Sequence, residues 1–197
     1  EEFGNALFID SELQVAEKDE KKYSGQFVNS ALNLSKENSS AAIIGGGDGG
    51  VARELLSKGF NLIDWYELDP EVVKACQKHL PKICGDVKAN NNVKTFWGDA
   101  FESIKKVKDS KYNKIFVDLN DDQFCIDLAA KNMKSLKRIL KPGGVITAQV
   151  GCQSKKPRQV NNWLKVLSQN FGNAKLDEVV IPSFDCRWNF ASSVMDS

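Results

Sequence analysis

The chain reads as an α/β domain built on a doubly wound, mostly parallel sheet, preceded by a small β-hairpin piece. Three observations predict this. Residues 41–47 run Ala-Ala-Ile-Ile-Gly-Gly-Gly, a short apolar strand that stops in glycines, the residues that let a chain turn sharply. From there to residue 170, apolar runs alternate with stretches of helical spacing, which is the pattern of parallel strands joined by crossover helices. The first 17 residues differ, because their polarity alternates one by one.

Each element has its own signal. Leu7 and Ile9 alternate with Phe8 and Asp10, and Leu13 and Val15 follow a turn at Asp10-Ser11-Glu12, so residues 5–17 are expected to form a hairpin. Tyr23, Phe27, Ala31 and Leu34 share one face of a helix over about 19–34. A polar linker, Lys36 to Ser40, then separates a small N-terminal piece, 1–35, from a Rossmann-like domain, 36–197. Within that domain strands are expected at 41–45, 61–67, 93–97, 112–118 and 144–150, with helices at about 50–58, 70–79, 100–107, 125–140 and 157–170. Lys141-Pro142-Gly143-Gly144 is a helix stop. Glu178–Pro182 and Trp188–Val194 read as two closing antiparallel strands.

Composition narrows the function. The 197 residues carry a net charge of +1, 42% hydrophobic and 27% charged residues, enough for one well-cored soluble domain. Lys155, Lys156 and Arg158 make the only dense basic patch, too short to imply nucleic acid and expected to be a solvated loop. No apolar run is long enough to span a membrane and no signal peptide is present, so a cytoplasmic protein is expected. The chain begins at Glu1 without a Met and is expected to be part of something longer. Five cysteines (Cys76, Cys84, Cys125, Cys152, Cys186) without a CxxC pair support neither zinc nor a disulfide framework, and reduced thiols are expected. His79 is the only histidine and ends a helix, which leaves it no metal-binding partner of its kind.

The chemistry lies at the strand ends. Gly45-x-Gly47-x-x-Gly50 matches the dinucleotide fingerprint, so a nicotinamide or flavin domain has to be weighed. Asp48 argues against it, because a carboxylate beside a pyrophosphate is repelled. It suits a ligand without phosphate that carries a positive charge, such as a sulfonium or an ammonium. S-adenosylmethionine and its decarboxylated form both qualify. Glu67 closes the second strand 19 residues after Asp48, placed to accept the ribose hydroxyl hydrogens. Asp99 follows the third strand; it can accept from an adenine amino group and also cap the next helix. Asp118 closes the fourth strand, and with Asp121 and Asp122 it makes an acidic cluster that calls for a cation. A polyamine fits; Mg²⁺ is the alternative, but it favours phosphate as a co-ligand and nothing here holds phosphate.

At this point the sequence resembles a known family. Gln14-Val-Ala-Glu17-Lys-Asp19-Glu20-x-x-Tyr23, Ile43-Ile44-Gly-Gly-Gly-Asp48-Gly-Gly-Val-Ala-Arg53-Glu54, Glu67-Leu-Asp69-Pro70, His79-Leu-Pro81, Gly98-Asp99 and Ile181-Pro182-Ser183-Phe184 are similar to the spermidine and spermine synthases, the polyamine aminopropyltransferases. The similarity runs in order over roughly residues 3–194. It implies the class I S-adenosylmethionine-dependent methyltransferase type of fold, decarboxylated S-adenosylmethionine as co-substrate, no metal, and putrescine or spermidine as acceptor. It further implies that Gln14, Gly45, Gly47, Asp48, Glu67, Asp99 and Ala100 line the donor site, that Asp118 takes the acceptor's proton, and that Tyr23, Asp121, Gln149 and Phe184 place the acceptor. Family members commonly form homodimers, partly through the N-terminal region, so a homodimer is expected.

The sequence also departs from the family pattern. Where spermidine synthases read Asp-Ser-Ser-Asp-Pro-x-Gly-Pro, this chain reads Asp118-Leu119-Asn120-Asp121-Asp122-Gln123, without the gating Pro-x-Gly-Pro. Phe184 stands for the family tyrosine, and Val150-Gly151 follows Gln149 where Gly-Glu is usual. Cys84-Gly85-Asp86-Val87 and Asp118-Leu119 look more like animal spermine synthases, which tips the expected acceptor slightly toward spermidine. Two alternatives stay open: a catalytically impaired partner subunit or polyamine-binding protein, and a small-molecule N-methyltransferase on the same scaffold.

Overall fold

The computed structural model describes residues 2–196. The chain begins with a hairpin, β1 (Ala6–Ile9) and β2 (Glu12–Ala16), followed by α1 (Glu20–Leu32). It then alternates through β3 (Ser40–Gly45), α2 (Gly50–Ser57), β4 (Leu62–Glu67), α3 (Pro70–His79), the single turn α4 (Pro81–Cys84), β5 (Val93–Trp97), α5 (Ala100–Ile104), β6 (Tyr112–Asp118), α6 (Gln123–Ile139), β7 (Leu140–Cys152) and α7 (Pro157–Phe171). The antiparallel strands β8 (Ala174–Ile181) and β9 (Cys186–Val194) close the chain. Among the described residues, no helix is long and apolar enough to cross a membrane.

Seven strands of the described chain form one sheet in the order β5-β4-β3-β6-β7-β9-β8. Strands β3 to β7 are parallel to one another, and β9 returns antiparallel to β7 and β8. Strand order reverses between β3 and β6, so a crevice opens at their carboxyl ends, the place where such sheets bind ligands. The register Gly45↔Asp118 and Glu67↔Trp97 puts the chemically interesting residues along this one edge.

The strands are buried on both faces. On one face Ile43, Trp65 and Phe116 pack with Phe27 and Val28 of α1 and with Val51 and Leu55 of α2. On the other, Ile44, Tyr66 and Val117 pack with Met133 of α6 and Trp163 of α7. The hairpin turns at Asp10 and Ser11, both at positive φ (50° and 67°), as tight two-residue hairpin turns require.

The sequence reading placed the strands well and some boundaries less well. β7 begins at Leu140, four residues before the expected 144, because Leu140 already pairs with Tyr112. α5 ends at Ile104, short of the expected 107, and α4 was not foreseen.

The thiol expectation needs correction. Cys152 and Cys186 form a disulfide, with their Cα atoms 6.3 Å apart. Spacing along the chain could not reveal the pair. The antiparallel register that sets Cys152 opposite Trp188 brings Cys186, two residues earlier at the start of β9, within reach. Tying residues 34 apart restricts the unfolded chain by about 4 kcal/mol in the chain-entropy model.

One buried charge opposes the fold. Lys114 lies in the middle of the sheet, fully buried, and its Nζ meets no hydrogen-bond partner among the described residues. Burial pushes its ammonium down to about 8, with Glu37 only partly offsetting the effect. The folded chain therefore binds this proton less tightly than the unfolded chain. Stability should rise with pH between that folded value of about 8 and the unfolded lysine value of about 10.4.

Two outcomes follow from these features. Lys114→Met should raise the unfolding free energy by about 1–3 kcal/mol near neutral pH and flatten the alkaline rise. Urea denaturation at several pH values measures both, and a less stable variant would contradict the assignment. Alkylation of the unfolded, unreduced chain should label three thiols, Cys76, Cys84 and Cys125. Labelling all five cysteines without reductant would mean the cross-link is absent.

Candidate active site

A cleft of about 640 Å³ runs along the carboxyl ends of the parallel strands, roofed by Leu7, Ile9, Leu13, Gln14 and Val15 of the hairpin. Its floor is set by a close main-chain contact. Gly46 N–H donates to the Asp118 carbonyl at 3.1 Å. Gly45 has φ +85°, and a Cβ there would lie 2.4 Å from the same carbonyl oxygen. No other residue fits without moving the strands apart. Trp65 Nε1 donates to the Gly45 carbonyl at 2.8 Å and braces the turn from below.

The turn delivers Asp48 to the start of α2, where its Oδ1 accepts from Gly50 N–H at 2.6 Å. Beneath it lies a buried ion pair. Arg53 donates to Glu20 at 2.8 and 3.1 Å and to the Ile83 carbonyl at 2.7 Å. Glu20 is 2% exposed and also accepts from Ser24 Oγ. A Cβ at Gly50 would lie 2.1 Å from Glu20 Oε1, so this glycine lets α1 dock against the loop. Asp48's carboxyl is held above the usual carboxylate range by burial, then by the negative charges of Asp118 and Glu20.

Glu67 ends β4, almost fully buried, and its Oε1 accepts from Asp69 N–H at 3.0 Å. Burial raises its carboxyl, and backbone N–H donors oppose the rise. A Cβ at Gly47 would approach Glu67 Oε2 at 3.2 Å, so the glycine keeps that oxygen accessible. Asp99 caps α5, accepting from Phe101 N–H at 2.8 Å and from Glu102 N–H at 3.3 Å, while still lining the cleft beside Ala100.

Asp118 Oδ1 accepts from the Tyr23 hydroxyl at 2.6 Å. Burial raises the Asp118 carboxyl, the tyrosine hydrogen bond opposes the rise, and Glu67 and Glu20 add to it. Burial and the neighbouring Asp118 charge in turn push the Tyr23 hydroxyl well up. Among the described residues, neither Asp48 nor Asp118 makes an ion pair. Like Glu67, these two carboxylates face the cleft without an ion pair.

Beyond Asp118 the cleft becomes aromatic. Phe184 lies 6.2 Å from Tyr23 and 4.6 Å from Trp188, ring centre to ring centre. Its turn, Pro182–Phe184, is held by Asp19, which accepts from Ser183 N–H at 2.7 Å and from Ser183 Oγ at 2.9 Å. Gln149 donates to the Leu119 carbonyl and accepts from Trp188 Nε1 at 3.2 Å, so its amide braces the wall. Asp121 pairs with Lys156 at 3.1 Å.

The twelve residues that the resemblance assigned to the donor and acceptor sites line this cleft: Gln14, Tyr23, Gly45, Gly47, Asp48, Glu67, Asp99, Ala100, Asp118, Asp121, Gln149 and Phe184. Asp122 does not. It is exposed and caps α6, accepting from Cys125 N–H at 2.7 Å, so the expected cluster of three carboxylates contributes two to the cleft. The basic patch lies in an exposed turn, as expected, with two of its lysines also held at the rim of the cleft. Lys155 Nζ donates to the Phe184 carbonyl at 3.0 Å, and Lys156 pairs with Asp121. His79 lies apart, in a smaller cavity of about 430 Å³ under the hairpin. Sequence reasoning gave no role to Trp188 or Lys156. Both depend on how β7, α7 and β9 come together, which no local pattern carries.

Comparison with known proteins agrees with this architecture. Residues 20–196 match the spermine/spermidine synthase domain. The polyamine aminopropyltransferase of Prochlorococcus marinus strain MIT 9215 is 33% identical over 203 residues, covering 98% of this chain and 70% of the relative. That of strain MIT 9301 is 34% identical over 206 residues, with the same coverage of each chain. A crystal structure of spermidine synthase in complex with the transition state analogue AdoDATO superposes with a TM-score of 0.90 at 19% identity, over 98% of this chain and 67% of that one; this likeness establishes the shared fold. With the family domain spanning most of its length and the strand-end carboxylates in one cleft, the chain belongs to the spermine/spermidine synthase family.

Proposed function

We propose that this chain is a polyamine aminopropyltransferase that moves the aminopropyl group of decarboxylated S-adenosylmethionine onto a polyamine amine and releases methylthioadenosine. One observation carries the reading: Asp48 and Asp118 face the same cleft, and among the described residues neither makes an ion pair. A doubly cationic donor and an amine acceptor supply what they lack, whereas a pyrophosphate would be repelled. The 33% identity to a polyamine aminopropyltransferase supports the same choice.

The residues divide the work by position. Glu67 accepts from the donor's ribose hydroxyls and Asp99 from its adenine amino group, as their strand-end positions favour. Asp48 holds the aminopropyl ammonium. Gln14, Gly45, Gly47 and Ala100 form the surrounding wall. Tyr23, Asp121, Gln149 and Phe184 border the acceptor, Gln149 by fixing Leu119 and Trp188.

The reaction is a single displacement. The acceptor nitrogen's lone pair forms a bond to the aminopropyl carbon attached to sulfur. The carbon–sulfur bond breaks, and its electrons return to the sulfonium, which leaves as a neutral thioether. The amine must first lose a proton, because alkylamines are mostly ammonium near neutral pH. Asp118 takes that proton and aims the nitrogen, with Tyr23 fixing the carboxylate's orientation at 2.6 Å. A cytoplasmic homodimer accompanies this reading as the family expectation.

Incubation with decarboxylated S-adenosylmethionine and putrescine or spermidine should yield methylthioadenosine and a lengthened polyamine in equal amounts. Asp118→Asn should lower turnover at least about a hundredfold and leave donor affinity within a few-fold. Because Asp118 must be ionised and its carboxyl is raised by burial, activity should fall on the acid side above the ordinary carboxylate range of about 4. Donor binding without methylthioadenosine release would overturn the reading, and methylated amine formed from S-adenosylmethionine would assign the chain to N-methyl transfer.

A further inference from the structure

We infer that Lys156 is a specificity-determining residue, which holds Asp121 in an ion pair at the acceptor end of the cleft and so selects a diamine over a triamine. The inference rests on the aminopropyl-transfer reading and adds a selection rule to it.

Glu20 is neutralised by Arg53, Asp69 and Asp99 cap helices, and Asp48 and Asp118 meet the donor ammonium and the attacking nitrogen. With Glu67 accepting from Asp69 N–H and Asp19 from Ser183, Asp121 is the partly buried carboxylate left for a further ammonium, and Lys156 Nζ already stands 3.1 Å from its Oδ2. Asp121's side chain is only 15% exposed and that of Lys156 is 41% exposed, so the pair sits at the rim with the carboxylate inward.

The pair is built into the fold. Gly151, at φ +86°, backs Asp121 so closely that a Cβ there would lie 2.7 Å from Asp121 Oδ2. Lys156 N–H donates to the Cys152 carbonyl at 2.7 Å. Cys152 is itself bonded to Cys186, joining the end of β7 to the start of β9, and Lys155 Nζ closes the same strap by donating to the Phe184 carbonyl. The lysine therefore leaves a segment fixed at three points.

Acceptor charge then decides the outcome. With one nitrogen neutral for attack, a diamine keeps one ammonium and a triamine keeps two, since each has a pKa near about 10. The rings of Phe184 and Trp188, with Asp19 beside their turn, suit one ammonium. A second must either displace Lys156 from Asp121 or sit next to a like charge, and both are unfavourable.

The test compares wild type, Lys156→Gln and Lys156→Arg. For each, kcat/KM is measured with 1,4-diaminobutane and with spermidine, and calorimetry measures binding of both amines in the presence of methylthioadenosine. Wild type should favour the diamine. Lys156→Gln should shift the diamine-to-triamine ratio about fivefold toward the triamine, as for loss of one partly exposed charge contact, mainly through KM. Lys156→Arg should keep the wild-type ratio. A ratio in Lys156→Gln within twofold of wild type, in turnover and in binding, overturns the inference. If no variant releases methylthioadenosine, the catalytic reading fails, and the calorimetric ratio alone decides the role of Lys156.

Discussion

The site depends on the main-chain contact between the ends of β3 and β6. Gly46 N–H meets the Asp118 carbonyl, and Gly45 leaves no room for a side chain between the two strands. That contact fixes two things together: the path of the loop that carries Asp48, and the direction in which the Asp118 carboxylate leaves its strand. Because the sheet order reverses here, a crevice opens at the strand ends beneath the hairpin. The scaffold thus holds two carboxylates facing one space before any substrate arrives.

Keeping them there is electrostatically unfavourable, and the fold meets the cost locally. The Gly50 N–H and the start of α2 stabilise Asp48, and the Tyr23 hydroxyl stabilises Asp118. Arg53 neutralises Glu20 a short distance below, so that carboxylate adds little to the repulsion. The remaining repulsion disappears when cationic ligands bind. This is why the unbound site is poised for polyamine chemistry and not for a phosphate ligand.

The sequence made the half of this site proposed for the donor legible and the half proposed for the acceptor only partly so. A parallel sheet sends every strand's carboxyl end to the same edge, so Asp48, Glu67, Asp99 and Asp118 could be assigned to one cleft from strand boundaries alone. The hairpin and α1 were readable from alternation and helical spacing, and the motif around Tyr23 tied them to the cleft. The acceptor end is assembled by contacts between distant segments: Asp19 with Ser183, Asp121 with Lys156, and Cys152 with Cys186. These follow from the antiparallel return of β9 beside β7, whose register no local pattern encodes. Asp122 shows the reverse case. Its local role as a helix cap outcompeted the cluster its neighbours suggested.

The most direct measurement is a crystal structure of the chain with decarboxylated S-adenosylmethionine bound. The aminopropyl ammonium should lie within hydrogen-bond distance of the Asp48 carboxylate, the ribose hydroxyls should meet Glu67, and the carbon attached to sulfur should face Asp118. A donor bound with its ammonium away from Asp48, or with the carbon attached to sulfur turned from Asp118, would contradict the assignment of these two carboxylates to the two reacting partners.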